Sequence, residues 1–330
     1  MKHTRKTNFR NVGKSLILLL GMTLIILTGC GSNADTMIRY GGQYYPEEFL
    51  LQGYPELWTE QDLVVEHILF SSGTENNQAL IAGEIDINVG ADSRTVALFN
   101  AMPEETVIIA TSQRGDRYST IVRGDSDFQS WEDLRGHTVG VRLGTGAEQV
   151  LLRYFELQPN LAWEDFEWVN LGVEDMIAAL QSGSIDAFTA WEPTPAIAEA
   201  QGVGRVLFSY GDIALVPVSI HTTRAFAESH HDELVRFLAA HIAKVELIQN
   251  DPQRAAELAV AAAAAQGVEV STDAFLRIFE RVDFSLEFDE AALFALEDTA
   301  QFLYDQDRID NIPEFYWDNS FLEEAQALHD

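Results

Sequence analysis

The chain has 330 residues with 52 acidic and 21 basic side chains, which gives a formal net charge of −31. An acidic balance of this size argues against nucleic-acid binding, because that function needs a basic surface. The single cysteine excludes a disulfide framework, and a 47% hydrophobic composition is sufficient for two domains with real cores.

The N-terminal residues 1–29 have the pattern of a secretory signal peptide. Basic residues precede an apolar run at 16–27, which is too short for an ordinary membrane span. The sequence Leu27-Thr28-Gly29-Cys30 resembles the bacterial lipobox, in which the cysteine becomes the lipidated N-terminus. We therefore expect a lipidated tether at 30–36 that holds the mature chain on the extracytoplasmic side of the membrane.

Strands and helices then alternate in two successive sets. The first set has expected strands at 37–40, 64–70, 85–89 and 107–110, with helices at 47–57, 77–82 and 95–101 and a turn at Gly41-Gly42. The second set has expected strands at 118–122, 138–143, 166–170 and 185–189, with helical segments at 131–134, from 147 onward and at 176–181. This alternation indicates parallel or mixed sheets covered by helices.

The last third of the chain is predicted to be mainly helical. After strands at 206–209 and 216–220, we expect helices at 224–248, from Pro252 onward and at 291–304, and a tail at 316–327 that packs back on the first lobe. His230, His231 and His241 lack the spacing of a HExxH zinc motif, so we interpret them as surface residues of a helix.

An internal repeat relates the two sets. The motif Ala79-Leu80-x-x-Gly83-x-Ile85-Asp86 recurs 100 residues later as Ala179-Leu180-x-x-Gly183-x-Ile185-Asp186. We therefore predict two similar lobes, one formed by 37–112 and 214–330 and the other by 113–213. The chain would cross between them near 111–117 and 208–213.

The turn Gly144-Thr145-Gly146 follows one expected strand and opens a helix. Free N–H groups at such a helix start attract anions. Thr145 and Glu148 also have capping-box spacing, so the same donors could be satisfied internally, and both interpretations stay open. A dinucleotide fingerprint would need glycine at Gln149, and a P-loop would need a lysine that is absent.

With these motifs in order, the chain resembles the substrate-binding proteins of ABC importers for nitrate, sulfonates, taurine and thiamine precursors. The resemblance rests on Gln78-Ala-Leu-Ile-Ala-Gly-Glu-Ile-Asp86, Trp131-Glu-Asp-Leu-Arg-Gly136, Val139-Gly-Val141, Gly144-Thr-Gly-Ala147, Ala179-Leu-Gln-Ser-Gly-Ser-Ile-Asp-Ala187, Trp191-Glu-Pro193 and Trp317-Asp-Asn-Ser-Phe-Leu322. It implies an α/β, type II periplasmic-binding-protein fold, with two Rossmann-like lobes joined by two hinge crossings.

The resemblance also implies a function. A monomeric lipoprotein would capture a small anionic or zwitterionic solute between its lobes and deliver it to an ABC permease with a cytoplasmic ATPase. No catalytic residue, cofactor or metal is expected. Binding of a thiamine-precursor pyrimidine, an enzyme and a sensor domain on the same fold remain alternatives.

The family's ligand-binding positions fall on eleven residues of this sequence: Gln43, Tyr44, Ser72, Gly73, Ala91, Asp92, Thr145, Gly146, Ala147, Trp191 and Glu192. Tyr44 or Tyr45 could instead cap a sheet edge, and Asp92 could be the N-cap of a helix that starts at Arg94. Asp92, Glu148 and Glu192 would repel a pure anion unless they point away or are paired by Arg94 or Arg142. A zwitterion would use both charges, and a pyrimidine-like cation stacked on Trp191 or Tyr44 would also fit.

Overall fold

The computed structural model describes residues 37–329. The expected signal peptide, Cys30 and the tether lie outside the described residues. The strands of the described part are β1 (Met37–Gln43), β2 (Val64–Phe70), β3 (Ile87–Ala91), β4 (Thr106–Gly115), β5 (Tyr118–Arg123), β6 (Thr138–Val141), β7 (Glu167–Asn170), β8 (Ala187–Trp191), β9 (Gly204–Ser209), β10 (Val218–Thr223) and β11 (Val282–Asp283).

The helices of the same part are α1 (Pro46–Gly53), α2 (Glu56–Thr59), α3 (Gly73–Ile81), α4 (Asp92–Ala101), α5 (Gly146–Glu156), α6 (Val173–Ser182), α7 (Thr194–Ala200), α8 (Arg224–Ser229), α9 (His231–Asn250), α10 (Pro252–Ala265), α11 (Thr272–Arg281), α12 (Glu290–Asp305) and α13 (Ser320–His329). No helix within 37–329 combines the length and the apolar character needed to cross a bilayer.

Two mixed sheets organise the described chain, as the alternation of strands and helices predicts. The first sheet has six strands in the order β11-β4-β10-β3-β1-β2, and the second has five in the order β7-β6-β8-β5-β9. In each sheet a central strand pairs in parallel with two neighbours: β1 with β2 and β3, and β6 with β7 and β8. Parallel pairing requires crossover segments, and helices α3 and α6 belong to them.

The chain passes between the sheets twice. It leaves the first sheet after β4 and enters the second at β5, and it returns from β9 to β10. The C-terminal tail packs on the first sheet as expected, since Ile108 N–H donates to Tyr316 O at 3.0 Å and Phe321 is buried in the core formed with β1 and β3.

The internal repeat has the same local structure in both copies. Gly83 and Gly183 end α3 and α6 with φ of 69° and 74°, a left-handed conformation that glycine adopts without strain. In both copies an equivalent backbone hydrogen bond then joins the residue before the next strand to the neighbouring strand. Asp86 N–H donates to Arg39 O of β1, and Asp186 N–H donates to Thr138 O of β6, each at 2.8 Å.

Three details differ from the sequence prediction. Gly41 and Gly42 lie inside β1 rather than in a turn, because a Cβ on Gly42 would stand 2.6 Å from His67 Nε2 and the strand needs this close approach. The helix expected at 224–248 is divided at His230. His241 is wholly buried beside Lys244, 3.3 Å away, and is therefore not the surface residue we predicted.

Candidate functional site

A cavity of about 1170 Å³ is lined by segments of both sheets. The first sheet contributes the loops that follow β1, β2 and β3, and the second contributes those that follow β6 and β8. These are the carboxyl ends of strands, where open α/β sheets place their ligands. The start of α6 and the connection between α10 and α11 complete the wall.

Eight of the eleven expected residues line this cavity. They are Gln43, Tyr44, Ser72, Gly73, Ala91, Thr145, Gly146 and Trp191. Several are held by internal bonds: Gln43 Nε2 donates to Val89 O at 3.0 Å, and Ser72 Oγ caps α3 by accepting from Glu75 N–H at 3.3 Å. The cavity therefore joins positions that are up to 148 residues apart in the chain, from Gln43 to Trp191.

Asp92 is not among the lining residues. It is buried with 1% of its surface exposed, and its carboxylate accepts from Ser93 N–H at 2.7 Å and from the Thr299 hydroxyl at 2.6 Å. Burial raises the pKa of this carboxyl above its ordinary value, although both hydrogen bonds oppose the rise. It is also not an N-cap, because α4 begins at Asp92 itself and Ala91 is the capping position.

Glu192 also faces away from the cavity. It is 1% exposed, its Oε1 pairs with Arg281 at 3.0 Å and its Oε2 accepts from Ala196 N–H at 3.1 Å. Burial raises the pKa of Glu192 to about 7, against the opposing effect of Arg281. The carboxyl therefore joins α7 to α11 and does not contact the cavity.

The start of α5 satisfies part of its donors internally. Thr145 Oγ1 accepts from Ala147 N–H at 3.3 Å and donates to Arg142 O at 2.6 Å, and Glu148 Oε2 accepts from Gly144 N–H at 2.9 Å. In a standard capping box Thr145 would accept from Glu148 N–H, and Glu148 would accept from Thr145 N–H. Here each side chain accepts instead from the residue one position before that donor. Ala147 is wholly buried and does not line the cavity.

Some donors at this helix start remain available, among them the Gly146 N–H. Within residues 37–329 no protein acceptor receives the Gly146 N–H, which is one of the donors that the geometry of a helix start leaves unpaired. Glu148 does not compete for it, since this carboxylate also pairs with Arg308 at 2.8 Å. Glu148 therefore closes the turn and is paired within the protein.

Arg117 is the residue that the sequence analysis missed. It lies between β4 and β5, lines the cavity and is only 1% exposed. Its Nη1 donates to Val216 O at 3.3 Å, whereas its Nε has no acceptor in the described chain. Burial of an unsatisfied charged donor is costly, so an acceptor for this Nε would stabilise the buried guanidinium.

The surroundings of Arg117 keep it protonated. Burial alone would lower its pKa, but Tyr118, Tyr45 and Glu47 outweigh this effect and the pKa is raised. Its guanidinium lies 5.2 Å from the ring centroids of both Tyr45 and Tyr118, a favourable arrangement of a cation and aromatic faces. Both rings line the cavity as well.

The lining of the cavity has a positive balance of charge. Arg94, Arg117 and Arg142 line it together with two carboxylates, Glu174 and Glu269. Both glutamates and Arg142 are solvent-exposed, whereas Arg117 is buried. This local excess is opposite in sign to the chain's net charge of −31. The three carboxylates that we expected to repel an anion here, Asp92, Glu148 and Glu192, do not line the cavity.

Trp191 lies between the hydrophobic cores of the two sheets. Its half-buried ring packs against the core of each sheet and stands edge-on to Tyr118, with centroids 6.3 Å apart. No cluster of three or more potential metal ligands from histidine, cysteine, aspartate and glutamate occurs in residues 37–329.

Residues 43–263, about two thirds of the chain, match the family described as NMT1-like. The chain belongs to the NMT1-like family. The taurine-binding periplasmic protein of Escherichia coli (strain K12) is 25% identical over 275 residues, which cover 78% of this chain and 82% of that protein. Matches to some other curated relatives span 54–55% of those proteins.

Solved structures of binding proteins share the fold. The periplasmic aliphatic sulphonate binding protein from Escherichia coli superposes with a TM-score of 0.73 at 20% identity, covering 88% of this chain and all of that one (100%). The alkanesulfonate-binding protein from Xanthomonas axonopodis pv. citri, bound to MOPS, gives 0.69 at 18% identity and covers 85% and 96%. This NMT1-like chain therefore has the periplasmic-binding-protein fold.

Proposed function

We propose that this protein is the extracytoplasmic solute-binding component of an ABC importer, and that it captures a small sulfonate or similar anion in the cavity. Arg117 carries the proposal, because a buried guanidinium with an unpaired Nε lines a cavity large enough for a solute. An anionic headgroup would supply the missing acceptor. Arginine is suited to such a group because its planar donors match two oxygens at once.

Two further features support an anion over a cation. The Gly146 N–H points from the start of an eleven-residue helix and adds a second donor with the favourable end of the helix dipole. Two of the similar proteins reported above are named for taurine and for aliphatic sulfonates. A sulfonate headgroup presents three acceptor oxygens. A pyrimidine cation would stand beside Arg117 and meet like-charge repulsion.

Binding without catalysis is part of the proposal. The chain's only cysteine, Cys30, lies in the expected lipobox, and no histidine lines the cavity. A thiolate or imidazole nucleophile is thus not placed against the solute. We further propose that the protein acts as a monomer that presents its loaded form to a permease with a cytoplasmic ATPase.

Closure of two lobes would complete the binding site. We propose that 37–112 with 214–330 forms one lobe and 113–213 the other, which places the five-stranded sheet in the second lobe and the six-stranded sheet in the first, except for the last three residues of β4, 113–115. Arg117 then lies in a crossing between them, and Trp191 packs on both cores. A solute held by both walls would favour the closed arrangement by its differential affinity for it.

A ligand panel tests the function directly. Ethanesulfonate, taurine, nitrate, an aminopyrimidine and amino acids are titrated into the protein while its unfolding temperature and tryptophan fluorescence are recorded. Stabilisation by sulfonates is expected, because a ligand that binds only the folded state raises the midpoint. The proposal fails if no anion of the panel shifts either signal, and a response to the aminopyrimidine alone would assign the alternative solute.

Arg117→Lys separates a specific anion contact from general charge. The lysine keeps the positive charge but loses the unpaired Nε and the planar fork, so we expect sulfonate affinity to fall about 10- to 100-fold, the equivalent of one charged hydrogen bond. Calorimetric titration measures it. Arg254→Lys is the matched control, because Arg254 is exposed on α10 and does not line the cavity. Equal affinity in both variants would remove Arg117 from the site.

The lipid anchor is proposed from the sequence alone. We expect Cys30→Ala to release the protein from membranes, since the acyl chains attached to this cysteine would be lost. Fractionation of cells into membrane and soluble material measures this. Membrane association that persists after the substitution would contradict lipidation at Cys30.

A further inference from the structure

Thr299 is a buried hydroxyl that joins three helices. The residue lies on α12 and has no exposed surface. Its hydroxyl donates to Asp92 Oδ2 at 2.6 Å and accepts from Gln149 Nε2 at 2.9 Å and from Arg153 Nη2 at 3.2 Å. A hydroxyl has one donor and two acceptor lone pairs, so every hydrogen-bonding position of Thr299 is used.

The residues that form hydrogen bonds with Thr299 lie on helices that pack against different sheets. Helix α12 and α4, which begins at Asp92, share an apolar cluster with Ile108 of the first sheet. Helix α5, which carries Gln149 and Arg153, packs its apolar face into a cluster with β6 of the second sheet. A single hydroxyl therefore connects a helix start on one sheet with a helix on the other.

Both connected helices begin at the cavity. Ala91 and Ser93, on either side of Asp92, line the cavity, and so do Thr145 and Gly146 at the start of α5. Two ion pairs reinforce the same contact: Arg153 with Asp298 at 2.6 Å and Arg308 with Glu148 at 2.8 Å. Side chains that do not line the cavity therefore connect its two walls.

We propose that Thr299 is a positioning residue for solute binding, which holds the first turns of α4 and α5 at the separation where both contact one anion. The inference rests on the proposed binding function. It gives the buried carboxylate of Asp92 a role, since this group accepts the only proton that the Thr299 hydroxyl can donate. Valine has nearly the shape of threonine but no hydroxyl, so Thr299→Val removes all three bonds with little change in volume.

The experiment compares Thr299→Val with Thr299→Ser and Thr222→Val. Serine keeps the hydroxyl and should rescue the function. Thr222 is equally buried and its hydroxyl donates to Asp86 O at 2.8 Å, away from the cavity, so it controls for the loss of one buried hydroxyl. Calorimetry with ethanesulfonate measures affinity, and amide hydrogen exchange of residues 91–96 and 144–150 in ligand-free protein measures the order of both walls.

Thr299→Val is expected to weaken ethanesulfonate binding about 10-fold or more and to accelerate amide exchange in both segments. Thr299→Ser and Thr222→Val should keep nearly the affinity and the exchange rates of the wild type. Unchanged exchange in both segments, or unchanged affinity in a folded Thr299→Val protein, would overturn the inference. If the wild-type protein binds no anion of the panel, the proposed function fails, and the exchange measurement still decides whether Thr299 orders the two walls.

Discussion

Gly146 shows how one missing side chain shapes the cavity wall. A Cβ at this position would overlap the Tyr118 hydroxyl and stand 2.9 Å from the ring carbon that carries it. Glycine therefore lets the tyrosine lie directly on the start of α5, beside Arg117. Alanine would otherwise be favoured here, because it is a better helix former than glycine by about 1 kcal/mol.

We expect Gly146→Ala to lower the free energy of unfolding by about 1–3 kcal/mol, the usual cost of overpacking. Chemical denaturation of Gly146→Ala, Tyr118→Phe and the double variant measures it. Removal of the hydroxyl relieves the largest overlap, so the double variant should be more stable than the sum of the single effects predicts. Strictly additive losses would show that the two side chains do not interact.

The carboxylates near the cavity illustrate what residue order does not specify. Asp92 and Glu192 each stand next to cavity-lining residues in the chain and Glu148 lies two residues after Gly146, so the sequence analysis placed all three close to the solute. Their partners are Thr299, Arg308 and Arg281, which are between 89 and 207 residues away. Each carboxylate also accepts a nearby backbone N–H, and for Glu148 the capping-box spacing indicated such a bond, but the distant partner is not contained in any local pattern.

Arg117 was missed for the opposite reason. It stands just before an apolar strand, in a segment that the sequence analysis treated as a hinge. The sequence contained one signal: a basic residue stands directly before an expected strand, in a chain that has few basic residues. Its neighbour Tyr118 is adjacent in the chain, but the contact with Tyr45 joins residues 72 positions apart and is not encoded in any single stretch.

At the scale of elements, the repeated motif was the most informative part of the sequence. The spacing of a helix, a glycine and an isoleucine-aspartate pair predicts a left-handed helix end followed by a buried strand, and both copies have these features. Local hydrogen bonds are enough to produce this unit, which is why it could be predicted. The strand order in each sheet depends on long-range pairing and was predicted only as parallel or mixed.

Two elements were misjudged from the sequence. Gly41 and Gly42 were interpreted as a turn because glycine usually marks one, yet here they let β1 pass close to Glu48 and His67. The helix expected at 224–248 has continuous apolar periodicity, but its chain is interrupted at His230, where φ is −130° and ψ is 41°. In the first case tertiary packing overrides local preference, and the break at His230 has no explanation in the contacts of the structure.

At the scale of the whole molecule, the net charge is strongly negative, whereas arginines outnumber carboxylates in the lining of the cavity. An acidic surface repels anions at long range, but at physiological salt this field decays over about 8 Å. The arginines that line the cavity act at contact distance, where screening is weak. A binding site for an anion is therefore compatible with a chain whose net charge is −31.

Glu192 links the stability of the whole molecule to pH. Its buried carboxyl pairs with Arg281 at the end of α11 and caps the start of α7 at Ala196. Ala196 in turn belongs to an apolar cluster with α1, α10 and α11. The carboxyl thus lies at a junction between helices from separate parts of the chain, where a change in its protonation affects their packing.

Burial raises the pKa of Glu192 from an ordinary value of 4.5 to about 7. Between these values the folded protein binds a proton that the unfolded chain has released, so this group stabilises the fold below pH 4.5 and the stabilisation is lost as the pH rises through 7. At about 1.4 kcal/mol per pKa unit, the full effect is about 3 kcal/mol.

Chemical denaturation of the wild type and Glu192→Gln between about pH 4.5 and 8 isolates this contribution, because all other acidic groups are common to both proteins. We expect the stability of the wild type relative to the variant to decline as the pH rises. Glu280→Gln, an exposed change on α11, should leave the difference flat. A relative stability that stays flat across this range would mean that Arg281 dominates and that Glu192 is charged throughout it.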